Sequence, residues 1–170
     1  MVQKHIVITK KTIENLNEDN YFDVIEPLWF SVDIYDSYEI YERTLQPFSR
    51  EQRYVFTTEW LIAEVSNGGF EQFFDNSTGI VLKDALEGLK QMDCDDAVSV
   101  IERVIECYGV FSSLDRKTRW VEMENISDEA WEKIDALNDE FYKLEIYPKM
   151  LSYIKANADK FLFDGVVDTE

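Results

Sequence analysis

Residues 49–76 read SREQRYVFTTEWLIAEVSNGGFEQFFDN, and the reading of this stretch decides the fold. Ser49 followed by Gln52 is a capping box. The hydroxyl can accept the N–H three residues on while the amide side chain reaches back, so a helix opens here. Tyr54, Val55, Trp60, Leu61 and Val65 carry its apolar side. Asn67-Gly68-Gly69 predicts the end of that helix, because Asn and Gly accept the left-handed backbone of a helix terminus. Phe70, Phe73 and Phe74 follow as a short aromatic turn whose rings belong in a core. Glu64, Asn67, Gln72 and Asn76 are suited to bonding the backbone groups that a reversal leaves unpaired. A small polar pocket at the turn is the other use of the same four side chains.

Working outward, the chain keeps repeating helix punctuation. Ile34, Tyr35, Tyr38, Tyr41 and Leu45 stand at helical spacing, and Pro47 stops that pattern. Residues 80–91 read as another helix. Asp93 is placed to cap the next, whose inner face is Ala97, Val98, Ile101, Val104, Ile105 and Tyr108 and which Gly109 closes. A helix is predicted over 114–124. Ser127 caps one with Trp131, Ile134, Leu137, Phe141 and Leu144 inward, and Pro148 starts the last, which carries Met150, Leu151 and Ile154 and reaches toward Phe161. His5 to Thr9 reads as a short strand or arm. The expected fold class is therefore all-α, an irregular bundle of about seven helices with a short N-terminal strand or arm. It is expected to be one domain, with the arm and short helices of 1–34 packed on the core of a helical unit over 35–165.

With 45% apolar and 14% aromatic residues in 170, the chain can bury a core that needs neither disulfide nor metal. Cys94 and Cys107 fall on one predicted helix about 20 Å apart, beyond disulfide reach, which suits a reducing compartment. The sequence shows neither a signal peptide nor an apolar run long enough to span a bilayer, so a cytoplasmic location is expected. His5 is the single histidine, and with two cysteines it cannot supply a four-ligand zinc site. No nucleophile elbow, phosphate loop or dinucleotide fingerprint is present. No catalytic, metal or cofactor site is assigned, and the protein is expected not to be an enzyme.

What remains is charge. Seventeen Lys+Arg against 35 Asp+Glu give a net charge of -18, which repels nucleic acid and anionic membrane and attracts basic proteins. Residues 12–42 hold nine acids and no Lys or Arg; residues 54–82 hold four and again none. In the Ser127 helix, Asp128, Glu132, Asp135 and Asp139 fall within about 60° of one another, with axial steps of about 4.5–6 Å. Such a row could imitate DNA phosphates. Together with Asp33, Asp36, Glu39 and Glu42 it forms the candidate acidic binding face. The plain alternative is the solvated side of an amphipathic helix, diluted by Lys133 and Lys143.

The stretch Glu64, Asn67, Gly68, Gly69, Phe70, Gln72, Phe73, Phe74 and Asn76 resembles the NGGF-type domain of the bacterial DNA mimic protein family. The resemblance continues through Gly79, Ala85, Leu86 and Leu89, returns at Leu137-Asn138-Asp139-Glu140-Phe141-Tyr142, and covers roughly residues 35–160. It implies an acidic helical fold and a homodimer that presents carboxylates in place of DNA phosphates to a transcriptional regulator or other DNA-binding protein. An immunity or antitoxin-like protein that neutralises a basic toxin uses the same charge. A small-molecule site at the Glu64/Asn67/Gln72/Asn76 turn is the third reading.

Overall fold

The computed structural model describes residues 2–109 and 113–169. Helix, 3-10 turns included, covers 69% of the described residues. Nine α-helices occur among the described residues: α1 Lys10–Glu14, α2 Glu26–Ser31, α3 Tyr38–Leu45, α4 Arg50–Asp75, α5 Leu82–Gln91, α6 Asp95–Tyr108, α7 Arg116–Glu124, α8 Asp128–Phe141 and α9 Tyr147–Ala156. Strands β1 Gln3–Ile8 and β2 Phe163–Asp168 pair antiparallel, with Ile6 opposite Gly165 and Ile8 opposite Phe163.

The caps explain the boundaries. Ser49 and Gln52 close the box that opens α4. Ser127 accepts from the Ala130 N–H at the start of α8, and Gly109 ends α6 in the left-handed conformation with φ 79°. Asp93 does not cap α6. The cap position belongs to Cys94, and Asp93 itself turns to φ 56° to end the preceding helix. Phe161 is fully buried but stands beyond α9, where the chain turns into β2. That strand was not expected, because its alternation is short and a lone hairpin has little stability without a surface to lie on. Here Ile6, Ile8 and Val167 turn inward, and α2 packs against β2.

Helix α4 is the axis of the molecule. It contacts α2, α5, α7, α8 and α9, and its Val55, Phe56, Leu61, Val65, Phe70, Phe73 and Phe74 are buried. Helix α8 packs on α6 as well as α4. Tyr108 meets Trp131 at one end of the α6–α8 contact and Arg103 meets Glu140 further along, so the two helices run antiparallel.

The glycines do not end α4 as the sequence suggests. They kink it: Gly68 lies at φ -156°, ψ 27° and Gly69 at φ 72°, ψ -175°, after which Phe70 to Asp75 resume the helix. The helix can restart because Phe70 N–H, which the kink strips of its partner, donates to Asn138 Oδ1 of α8 at 2.9 Å. The aromatic turn is therefore a second helical half, aimed differently from the first.

Candidate acidic interaction face

The polar residues of the kink bond mainly to each other. Glu64, before the break, accepts from Gln72 Nε2 at 2.7 Å, Asn76 Nδ2 at 2.9 Å and Thr78 Oγ1 at 3.1 Å beyond it. One carboxylate thus ties both halves of α4 to the 3-10 turn Ser77–Val81. Asn67 is exposed at the bend. Cavities of roughly 410 to 740 Å³ elsewhere on the surface are not lined by Glu64, Asn67, Gln72 or Asn76. The constellation joins helix segments instead of framing a cleft.

The second half of α4 ends on donors lent by α7. Arg119 is fully buried. Its Nε donates to Phe74 O at 2.9 Å, Nη2 to Asn76 O at 2.6 Å, and Nη1 to Ser113 O at 2.9 Å and Leu114 O at 3.2 Å. Arg116 Nε and Trp120 Nε1 both donate to Asp75 O, at 2.6 and 3.0 Å. Three consecutive carbonyls at the negative end of a long helix are met by two guanidiniums and an indole, where α4 has no basic residue in its own last turn. Burial, with Arg116 close by, draws the Arg119 pKa below its usual value. Sequence reasoning passed over these residues. The signal was present: Arg116, Lys117 and Arg119 put three cations into four positions of a strongly acidic chain.

The acids divide into spent and free. In 54–82, Glu59 is buried and accepts from Tyr21 Oη at 3.0 Å, and Glu64 belongs to the kink. Burial raises the Glu59 pKa above the carboxylate norm, and the Tyr21 hydrogen bond opposes that only in part. A raised folded pKa favours the protonated state, so this contribution to stability is greatest below the unfolded value near 4.5 and is lost as pH rises through the folded pKa. Glu59→Gln is therefore expected to melt above the parent at neutral pH, with the gap closing as pH falls. Thermal melts across that window check it, and a constant gap would refute the charge argument.

Of the candidate face, Asp33 is half-buried and holds its own turn, accepting from Tyr35 N–H at 2.8 Å and Asp36 N–H at 3.2 Å. Glu42 pairs with Arg53, whose hydrogen bonds hold its carboxyl below the usual range; Arg53 also binds Asp84 at 2.8 Å. Asp36 and Glu39 are exposed. On α8, Asp128, Glu132, Asp135 and Asp139 are all exposed. None of the four enters an ion pair among the described residues. Lys133 does not dilute the row: it binds Glu129 at 2.9 Å one turn back, and Arg103 of α6 holds Glu140 at 2.7 Å. At about 100° per residue, Glu129, Lys133 and Glu140 lie on the flank of α8, not on the row itself. Asn138 connects the row to the kink: it accepts from Phe70 N–H and its Nδ2 lies 3.5 Å from Asp135 Oδ1.

No helix among the described residues is long and apolar enough to cross a membrane. A family model described as DMP19-like protein matches residues 46–157, the span from the start of α4 to the end of α9. No curated protein and no solved structure matches the chain.

Proposed function

The chain belongs to the DMP19-like protein family, a family of non-catalytic DNA mimics, and from that premise we propose that it is an acidic protein-binding domain that occupies the DNA-contacting surface of a basic protein such as a transcriptional regulator. The observation that carries this reading is the α8 row. Four exposed carboxylates stand in line with no ion pair among the described residues, while the acids beside them are neutralised by Lys133 and Arg103. Their spacing of about 4.5–6 Å along the helix compares with one phosphate per about 3.4 Å of duplex axis on each strand. A positively charged groove-binding surface would meet a comparable density of negative charge on a rigid rod. No base edges are offered, so the contact would replace the sequence-independent part of DNA binding, which phosphates dominate.

The test is a charge-neutral, shape-conserving variant, Asp128→Asn/Glu132→Gln/Asp135→Asn/Asp139→Asn. Immobilised wild type is expected to retain DNA-binding proteins from a bacterial lysate at low salt and to release them to added duplex DNA. The quadruple variant should bind the same proteins roughly thirtyfold more weakly, since four exposed pairs at about 0.5 kcal/mol each sum to about 2 kcal/mol. Its affinity should also depend less steeply on salt. Glu129→Gln, which removes a carboxylate already paired with Lys133, should change little. Equal binding by wild type and the quadruple variant would end the proposal.

A further inference from the structure

A row of carboxylates attracts any basic surface, so charge alone does not choose one partner over another. A groove of about 450 Å³ between the segment before α3 and the start of α7 differs from the rest of this acidic surface. One wall carries Tyr35, Asp36 and Glu39; the other carries Arg116, Lys117 and Trp120, with Asp115, whose carboxylate is engaged in capping α7 through Thr118 N–H. Tyr35 is 70% exposed and Trp120 40% exposed. The Arg116 guanidinium lies 4.9 Å from the Trp120 ring centre, which holds both groups in a stacked platform. Leu114 adds an exposed apolar edge. Tyr, Trp and Arg gathered in one concavity are the residue types that dominate binding energy at protein interfaces. Lys117 is exposed and enters no ion pair among the described residues.

We propose that this groove is the selectivity anchor for the protein partner, taking from the rim of the partner's DNA-binding surface an apolar side chain flanked by a carboxylate. The inference rests on the proposed function. The two walls set the occupant's chemistry: Asp36 and Glu39 receive the partner's basic residues as the α8 row does, Lys117 offers a cation without an ion pair among the described residues to an acid, and Trp120, with Arg116 stacked on it, and Tyr35 take an apolar group. DNA has no counterpart to the second wall. A partner carboxylate beside its basic surface would repel phosphates and be attracted here, so the same group would raise affinity for this protein and lower it for DNA.

Proteins retained on a heparin column from a bacterial lysate are the probe, passed over immobilised wild type, Tyr35→Ser, Trp120→Ala, Lys117→Glu and the quadruple α8 variant. The side chain of Tyr35 is largely in solvent, so Tyr35→Ser tests the groove without threatening the fold; Trp120→Ala also removes the bond to Asp75 O, and its melting temperature is measured alongside. For a protein retained by wild type, Tyr35→Ser and Trp120→Ala should weaken affinity at least tenfold without changing its salt dependence. Lys117→Glu should weaken it similarly, and duplex DNA should displace the protein more readily from all three. The quadruple variant should instead flatten the salt dependence. Retention that the three groove variants leave unaltered overturns the anchor and leaves the acidic face standing. Retention of nothing by wild type overturns both.

Discussion

Replacing Arg119 by leucine is expected to lower stability by about 3–5 kcal/mol, out of the roughly 5–15 kcal/mol that a domain commonly has. The loss does not come from a broken ion pair. The guanidinium is fully buried and all its bonds among the described residues go to backbone carbonyls: Phe74, Asn76, Ser113 and Leu114. Leucine fills similar volume but withdraws the donors from Phe74 O and Ser113 O and leaves Asn76 O with only Gly79 N–H at 3.3 Å, and each buried group left unsatisfied costs about 1–3 kcal/mol. Lysine keeps the charge but puts its donors at one point, so it cannot reach Phe74 O, Asn76 O and Ser113 O together. Arg119→Lys should therefore recover less than half of the loss. Denaturant unfolding of both variants measures this, and near-parental stability of Arg119→Leu would show that the end of α4 does not depend on it.

The second large effect lies at the kink. Gly69→Ala is expected to cost about 3 kcal/mol, because φ 72° with ψ -175° is a region that side-chain-bearing residues hardly enter. The added Cβ would also stand 2.6 Å from Asn138 Nδ2, against the residue that accepts from Phe70 N–H. Gly68→Ala makes the contrast. Its backbone has a negative φ, and its Cβ would meet the Gln72 amide, which can swing aside at the cost of its bond to Glu64, and Gln72 Cβ at 2.9 Å, which yields only by a small backbone shift. About 1 kcal/mol is expected there. Equal losses at the two positions in thermal unfolding would refute the backbone argument. Because Asn138 also approaches Asp135, Gly69→Ala should disturb the acidic row as well as the core.

Local chemistry made most of the helices readable. Ser49 with Gln52, Ser127 and Gly109 mark boundaries within a few residues of where they occur, because a cap is decided by side chains next to the backbone they serve. The kink was misread for a non-local reason. Asn67-Gly68-Gly69 carries every sign of a helix end, and only Asn138, far along the chain, supplies the acceptor that lets the helix restart. Strand β2 was missed on the same grounds, since its partner lies at the other end of the sequence. In the acidic face, periodicity alone placed Asp128, Glu132, Asp135 and Asp139 on one side of α8. It could not tell that Glu59 is buried or that Glu42 belongs to Arg53. Which carboxylates keep their charge free for a partner is settled by cations brought in from other helices, and spacing along one helix says nothing of those.

The pairing of β1 with β2 carries a consequence for biosynthesis. His5 meets Asp164 across 159 positions of sequence, and Thr169 N–H donates to Val2 O. Strand β1, made before β2, must stay unpaired until β2 has been synthesised. Until then Ile6 and Ile8 lack the strand they pair with, and closing so long a loop is slow compared with forming helices. The helical body between the strands can assemble before β2 is made, and zipping β1 to β2 follows it.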